Sequence, residues 1–362
     1  MAPTRIDSSL VRAACTIGLV ACADTTAKPQ VAAPAGPPPQ QVPYASPYPQ
    51  PVLYGPPPAP QQSPPPAGLP SPPVQPAPAP QPVYAPPTVP VVSARPLLGP
   101  LIGPGAWQAE ARSVAKELVA NLSPPNQARV ASIPLVFDPN PNEVNAFAGC
   151  DDRGAPFVAA TEGLLEAIDA ISQTKASDEL YGTQSYEAYV GTVAPRLVSK
   201  DGGSALLPPG AIPPQYWIDP RRISRAHEIF DEIVAFTFGH ELSHHYLGHT
   251  GCANGQPGGL GPTIAQLGVL ASSVLPLVNQ PNEAAADMNG CLNMLDAARA
   301  RAPVAYRWTE RGALELLDFF ARLDGASGAN PWLGFLRTHP NPGLRIPLVQ
   351  ATATTWRLQH PG

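Results

Sequence analysis

Proline sets the first limit on this chain. Residues 30–100 hold 27 prolines and a single charged side chain, Arg95, whereas residues 101–362 hold 23 prolines, close to an ordinary share. Each proline removes a backbone N–H and fixes φ, so a run this dense is closed to helix and to a sheet ladder. The same stretch lacks the apolar periodicity with which a core offsets chain entropy. Residues 23–100 are therefore expected to be a disordered, polyproline-II-like tether. At ~3.1 Å per residue it reaches on the order of 200 Å when extended. Residues 101–355 are left to form one globular domain. The formal charge of −5, with only 14% charged residues, provides no basic stripe and excludes a nucleic-acid binder.

The N-terminal residues read as an address. Arg5 and Arg12 precede a short apolar run, Ala13 to Ala21, in the order of a secretory signal. The run is shorter than the ~20 residues a bilayer span needs. It ends Leu19-Val20-Ala21-Cys22, which resembles the bacterial lipoprotein box, so residues 1–22 are expected as a signal peptide with Cys22 as the lipidated residue. Several acyl chains give stable anchoring where one does not. The implied location is the bacterial cell envelope, facing the periplasm or the surface, with the membrane as a partner through the anchor. Any cell-wall or Pro-rich-segment partner is left open.

Helical spacing governs the rest. Trp107, Ala111, Val114, Leu118 and Leu122 predict a helix over 106–122. Val130, Ile133, Leu135 and Phe137 suggest a strand, and residues 156–161 a second one followed by a helix over 162–171. Residues 173–222 are Gly/Pro-rich, with Tyr181, Tyr186, Tyr189, Tyr216 and Trp217, and read as an exposed insertion. Further helices are predicted over 223–248, 263–278, 281–299 and 309–323. The fold class is α+β, mainly helical, with a small sheet. Besides Cys22, the cysteines of the domain are Cys150, Cys252 and Cys291, enough for one internal disulfide in an oxidising compartment. Cys252 and Cys291 flank the two motifs described next and are the expected pair.

Five of the seven histidines lie between residues 227 and 249, centred on His240-Glu241-Leu242-Ser243-His244. On a helix, positions i and i+4 share a face, so both imidazoles of an HExxH motif meet one point, and Glu241 lies beside it. Two such nitrogens supply half of a tetrahedral zinc site. Downstream, Glu283 and Asp287 repeat the i, i+4 spacing. Glu283 would complete a His₂Glu set for one Zn²⁺ per chain, and Asp287 would accept the N–H of a ligating histidine. His227, His245 and His360 read as non-ligands, and His249 as a packing residue or one that touches a ligand from outside.

These two motifs together are similar to the gluzincin zinc metallopeptidases, and the flanks resemble their HtpX, Oma1-like and CAAX-prenyl-protease family. Asn145-Ala146-Phe147-Ala148, the run Val158 to Leu165, Thr338-His339-Pro340 and Arg345-Ile346 resemble further elements of that family, in its order. The resemblance implies a zincin-like domain with a central HExxH helix that hydrolyses peptide bonds of misfolded or envelope proteins. It implies Glu241 as the base acting on a zinc-activated water, and His339 and Arg345 as candidate oxyanion donors. Phe157, Val158, Ala159 and Ala160 become the strand on which a polypeptide substrate pairs. The 74 residues between Leu165 and His240 depart from the family's short link, so 173–222 is expected as a lid or selector over the site. The competing reading is a zinc-binding, chaperone-like or scaffolding lipoprotein with latent peptidase activity.

Overall fold

The computed structural model describes residues 96–199, 203–253, 280–301, 305–327, 339 and 342–361. The signal peptide with Cys22, almost all of the proline-rich tether, the helix expected over 263–278 and the flanks of His339 lie outside the described residues.

The described chain is mainly helical with one small sheet, as its periodicity predicts. Helix α1, Gly103–Asn121, buries Trp107, Ala111, Val114 and Leu118, the residues whose spacing marks it. Helix α2, Pro124–Val130, opens on two prolines, which suit a first turn because its N–H groups have no intrahelical partner. Val130 therefore ends a helix. The strand expected around it starts only at Leu135, just past Pro134: β1 is Leu135–Asp138, β2 Ala146–Cys150 and β3 Pro156–Thr161.

The sheet order is β1-β3-β2, with β1 parallel and β2 antiparallel to β3. This corrects the substrate-pairing assignment. Phe157, Val158, Ala159 and Ala160 lie on the central strand, buried and bonded on both sides, so β3 has no free edge to offer a peptide. Among the described strands the edges are β1 and β2.

Helix α3, Glu162–Tyr181, begins where Thr161 Oγ1 accepts from the N–H of Leu164, and ends at Gly182 with φ 65°. It runs well past residue 171 because its second half keeps an interior face through Thr174, Ala176 and Ser177. Helix α4, Ser185–Leu197, follows. Asp178 accepts from the N–H groups of Ser185 and Tyr186, which stops α3 and starts α4. Tyr186 and Tyr189 are 2% and 0% exposed, so the expected loop with exposed aromatics is instead a core helix packed on α3. A short helix α5, Pro214–Trp217, leads into α6, Pro220–Tyr246. Both ends of this insertion meet the start of α6: Tyr181 Oη donates to Asp219 at 2.5 Å, and Arg222 binds Gln173. His240 lies about 30 Å further along α6 at ~1.5 Å per residue. The expectation of a lid whose ends flank the site is corrected accordingly.

Helix α6 is the axis of the domain. Helices α7, Gln280–Arg301, and α8, Arg311–Ser327, pack on it, as do α1 and α3. Its apolar face, with Phe230, Ile233, Phe236 and Phe238, shares one core with Leu316, Leu317, Phe319 and Phe320 of α8. Helix α9, Pro342–Gln359, closes against α7 and α8. The disulfide joins Cys150 to Cys252, with Cα atoms 6.0 Å apart, and not Cys252 to Cys291. Cys252 follows α6 and its Sγ lies 3.6 Å from the Gly149 carbonyl of β2. Cys291 is a free thiol on the interior face of α7, out of reach of that loop.

Candidate metal centre

Two glycines allow the site to form. Helices α6 and α7 cross at Gly239 and Gly290. A Cβ on Gly290 would lie 2.8 Å from the backbone N of His240, and one on Gly239 would lie 3.0 Å from the Gly290 carbonyl. No side chain fits between them, so the HExxH turn and the acidic first half of α7 come together. Gly290→Ala should force the helices apart and weaken metal binding by about tenfold or more, the range seen when ligand-orienting contacts are disturbed. A competitive chelator titration checks this, and unchanged affinity would show that the crossing does not set the site.

His240, His244 and Glu283 converge as their spacing predicts. His240 Nε2 lies 3.0 Å from His244 Nε2 and 3.4 Å from Glu283 Oε2, and His244 Nε2 lies 3.2 Å from Glu283 Oε1. All three are buried. A fourth group joins them: His339 Nδ1 lies 2.7 Å from Glu283 Oε2 and 3.3 Å from His240 Nε2. One ligand atom from each of the four side chains lies within 4.8 Å of the others.

The outer nitrogens settle where the protons are. His240 Nδ1 faces Asp287 Oδ1 at 2.9 Å, and a carboxylate accepts, so Nδ1 donates and Nε2 offers a lone pair. His339 Nε2 faces the Ala146 carbonyl at 3.1 Å, so Nε2 donates and Nδ1 offers its lone pair. His244 Nδ1 meets His249 Nδ1 at 3.0 Å, leaving His244 Nε2 to face inward. His249 thus touches a ligand's outer nitrogen without being one. Three imidazole lone pairs and a carboxylate therefore point into one buried space. The arrangement repels itself unless a cation sits among them, and the donor set fits a divalent metal ion.

The titration behaviour agrees. Burial works against a charged His240, but its bonds to Asp287 and Glu283 push it up to about 10. Burial would raise Glu283, yet His339, His240 and His244 hold it far below the usual carboxylate range. Burial lowers His244, which keeps it neutral and able to ligate.

Two more residues complete the site. Glu241 is buried beside the cluster, with Oε1 3.3 Å from His339 Nε2 and Oε2 buried without a hydrogen bond. Arg345 binds Asp287 through two nitrogens, at 2.6 Å and 2.5 Å. Its third nitrogen, Nη1, is 3.5 Å from Glu283 Oε2 with no hydrogen bond. Arg345 therefore holds the carboxylate that orients His240 and keeps one unused N–H group, on Nη1, beside Glu283. His339, expected beside the metal as an oxyanion donor, instead stands among the groups that could ligate. His245 points elsewhere, donating Nε2–H to the Phe157 carbonyl at 2.8 Å. No family model, curated protein or solved structure matches the chain.

Proposed function

We propose that this chain is a zinc-dependent endopeptidase with a zincin-like domain, anchored in the bacterial envelope through Cys22 and acting on misfolded or envelope proteins. The observation that carries the reading is the buried convergence of His240, His244 and Glu283 beside Glu241, whose Oε2 is buried without a hydrogen bond. When bound there, the metal supplies Lewis acidity that polarises a carbonyl and acidifies water. Glu241 takes the proton of the attacking water and passes it to the leaving amine, which releases the two halves of the peptide. Asp287, fixed by Arg345, keeps His240 in the ligating tautomer.

Strand β2 suits the substrate. Thr161 N–H donates to the Asn145 carbonyl, and Phe147 pairs with Ala159. In an antiparallel ladder the direction of the main-chain groups alternates, so those of Ala146 and Ala148 face away from β3. An extended peptide can add there as a further strand beside α6. The Ala146 carbonyl is the one His339 holds.

His339 favours a latent form of this activity. With it, four protein groups surround the cation, and a closed four-ligand zinc site leaves no place for water. The same side chain occupies the β2 edge. Hydrolysis therefore requires His339 to leave both. The competing reading, a zinc-binding chaperone-like or scaffolding lipoprotein with latent peptidase activity, keeps His339 in place in the working protein, so that only the variant would cut. Digestion of an unfolded protein by the full chain and by its His339→Ala variant separates them, with new peptides counted by mass spectrometry. Both forms should cut, the variant about tenfold or more faster if opening the site limits turnover. Zinc-loaded protein that cuts in neither form would overturn the peptidase reading.

A further inference from the structure

A second convergence lies at the other end of α6, about 20 Å from His240 at ~1.5 Å per residue. His227 and Asp231 are i and i+4 on α6, the spacing that pairs His240 with His244. Glu110 reaches them from α1. His227 Nε2 is 3.5 Å from Glu110 Oε1 and 3.7 Å from Asp231 Oδ1, and one ligand atom from each residue lies within 4.8 Å of the others.

The bonds around this group leave a place for a cation. His227 Nδ1 lies 2.8 Å from the Gly99 carbonyl, which only accepts, so Nδ1 donates and Nε2 turns a lone pair toward the two carboxylates. Asp231 is 2% exposed. Its Oδ2 accepts from Tyr306 Oη at 2.5 Å, while its Oδ1, facing His227, is buried with no hydrogen bond. Ligand atoms on a tetrahedral zinc with bonds of ~2.0–2.1 Å lie ~3.3 Å apart, so separations of 3.5 and 3.7 Å need only a small closure. The side chains of Glu110 and His227 are 28% and 13% exposed, which leaves a side open to water. Arg301 also lies near: its charge favours the ionised forms of Glu110 and Asp231, while its Nε binds Glu117 at 3.1 Å and its guanidinium stacks over Tyr306 and Trp308.

We propose that Glu110, His227 and Asp231 form a second divalent-cation site of the zinc class, structural in role. An imidazole with two carboxylates favours zinc-like ions over magnesium or calcium, which prefer all-oxygen sets. The cation ties α1 to α6. Because His227 is also bonded to Gly99, and Ser224 Oγ accepts from the Leu98 N–H at 2.9 Å, it also fastens the residues just ahead of α1. The competing occupant is a proton on His227. Burial opposes that proton, but Glu110 and Asp231 raise the imidazole, and burial pushes the Asp231 carboxyl up to about 7.

The site does not depend on the peptidase reading, and its test keeps the two apart. The full chain is stripped with a chelator, reloaded with zinc, desalted and assayed for metal. A His240→Ala, His244→Ala variant, which lacks the first site, should retain about one zinc per chain. Adding Glu110→Gln or Asp231→Asn should remove it, and each of these alone in the parent should lower the content from about two to about one. Zinc should also raise the unfolding midpoint of the His240→Ala, His244→Ala variant, and His227→Gln should abolish that rise. A first-site variant that holds no zinc and whose midpoint ignores zinc would assign the cluster to a plain ion pair and overturn the proposal. Zinc retained in full after both Glu110→Gln and Asp231→Asn would overturn it as well.

Discussion

Glu241→Gln should hold its metal as tightly as the parent and lose peptide hydrolysis by about a hundredfold to ten-thousandfold, the usual contribution of a positioned acid–base group. The change keeps the size of the side chain and removes only its capacity to take a proton. Glu241 is not among the four groups that could ligate, and its Oε2 has no hydrogen bond to lose. The fall should appear in kcat more than in KM, because the missing step is proton transfer and not peptide binding. Metal content and cleavage of an unfolded protein are measured on the same preparation. Retained activity would move the base elsewhere, and lost metal would place Glu241 among the ligands.

Arg345→Leu should be the most damaging single change near the site for folding. Asp287 is fully buried, and Arg345 provides two of its bonds. Removing one partner of a buried pair leaves an uncompensated charge and costs about 3–5 kcal/mol. Burial would raise the Asp287 carboxyl, and Arg345 followed by His240 holds it down. Without Arg345, Asp287 orients His240 less well, and metal affinity should fall by about tenfold to a hundredfold. Urea unfolding of the metal-free protein gives the first effect and a chelator titration the second. Pairing the change with Asp287→Asn should recover much of the stability and none of the affinity. A loss below about 1 kcal/mol would mean that the pair is not buried as described.

Much of this architecture was legible because its signals are local. The His240/His244 and Glu283/Asp287 pairs each lie on one helix, so spacing alone aims them. The ends of β3 could be read from Pro156 and from Thr161, which caps α3. What failed was non-local or disguised. Strand order depends on β2, Ala146–Cys150, a short run of mostly small residues that sequence alone does not mark as a strand, and without it β3 reads as an edge. Gly191 and Pro195 hid α4, although Tyr186, Tyr189, Val190 and Val193 keep helical spacing. Prolines 342 and 347 hid α9, though the first falls where a helix tolerates proline. The Cys150–Cys252 bridge spans 102 residues and His339 reaches His240 across 99, distances at which sequence spacing carries no geometry. Glu110 and His227 are separated in the same way.

The central claim is that the cation held by His240, His244 and Glu283 cuts peptide bonds. Its most direct test is the rate at which chelator-stripped full-length protein degrades an unfolded protein as zinc is added back. The rate should start near zero, rise with zinc and saturate. The same titration of His240→Ala, His244→Ala should stay flat, whatever zinc the second cluster takes up. Cleavage that persists without metal, or full zinc loading at the His240 centre with no cleavage by the parent or by His339→Ala, would contradict the account.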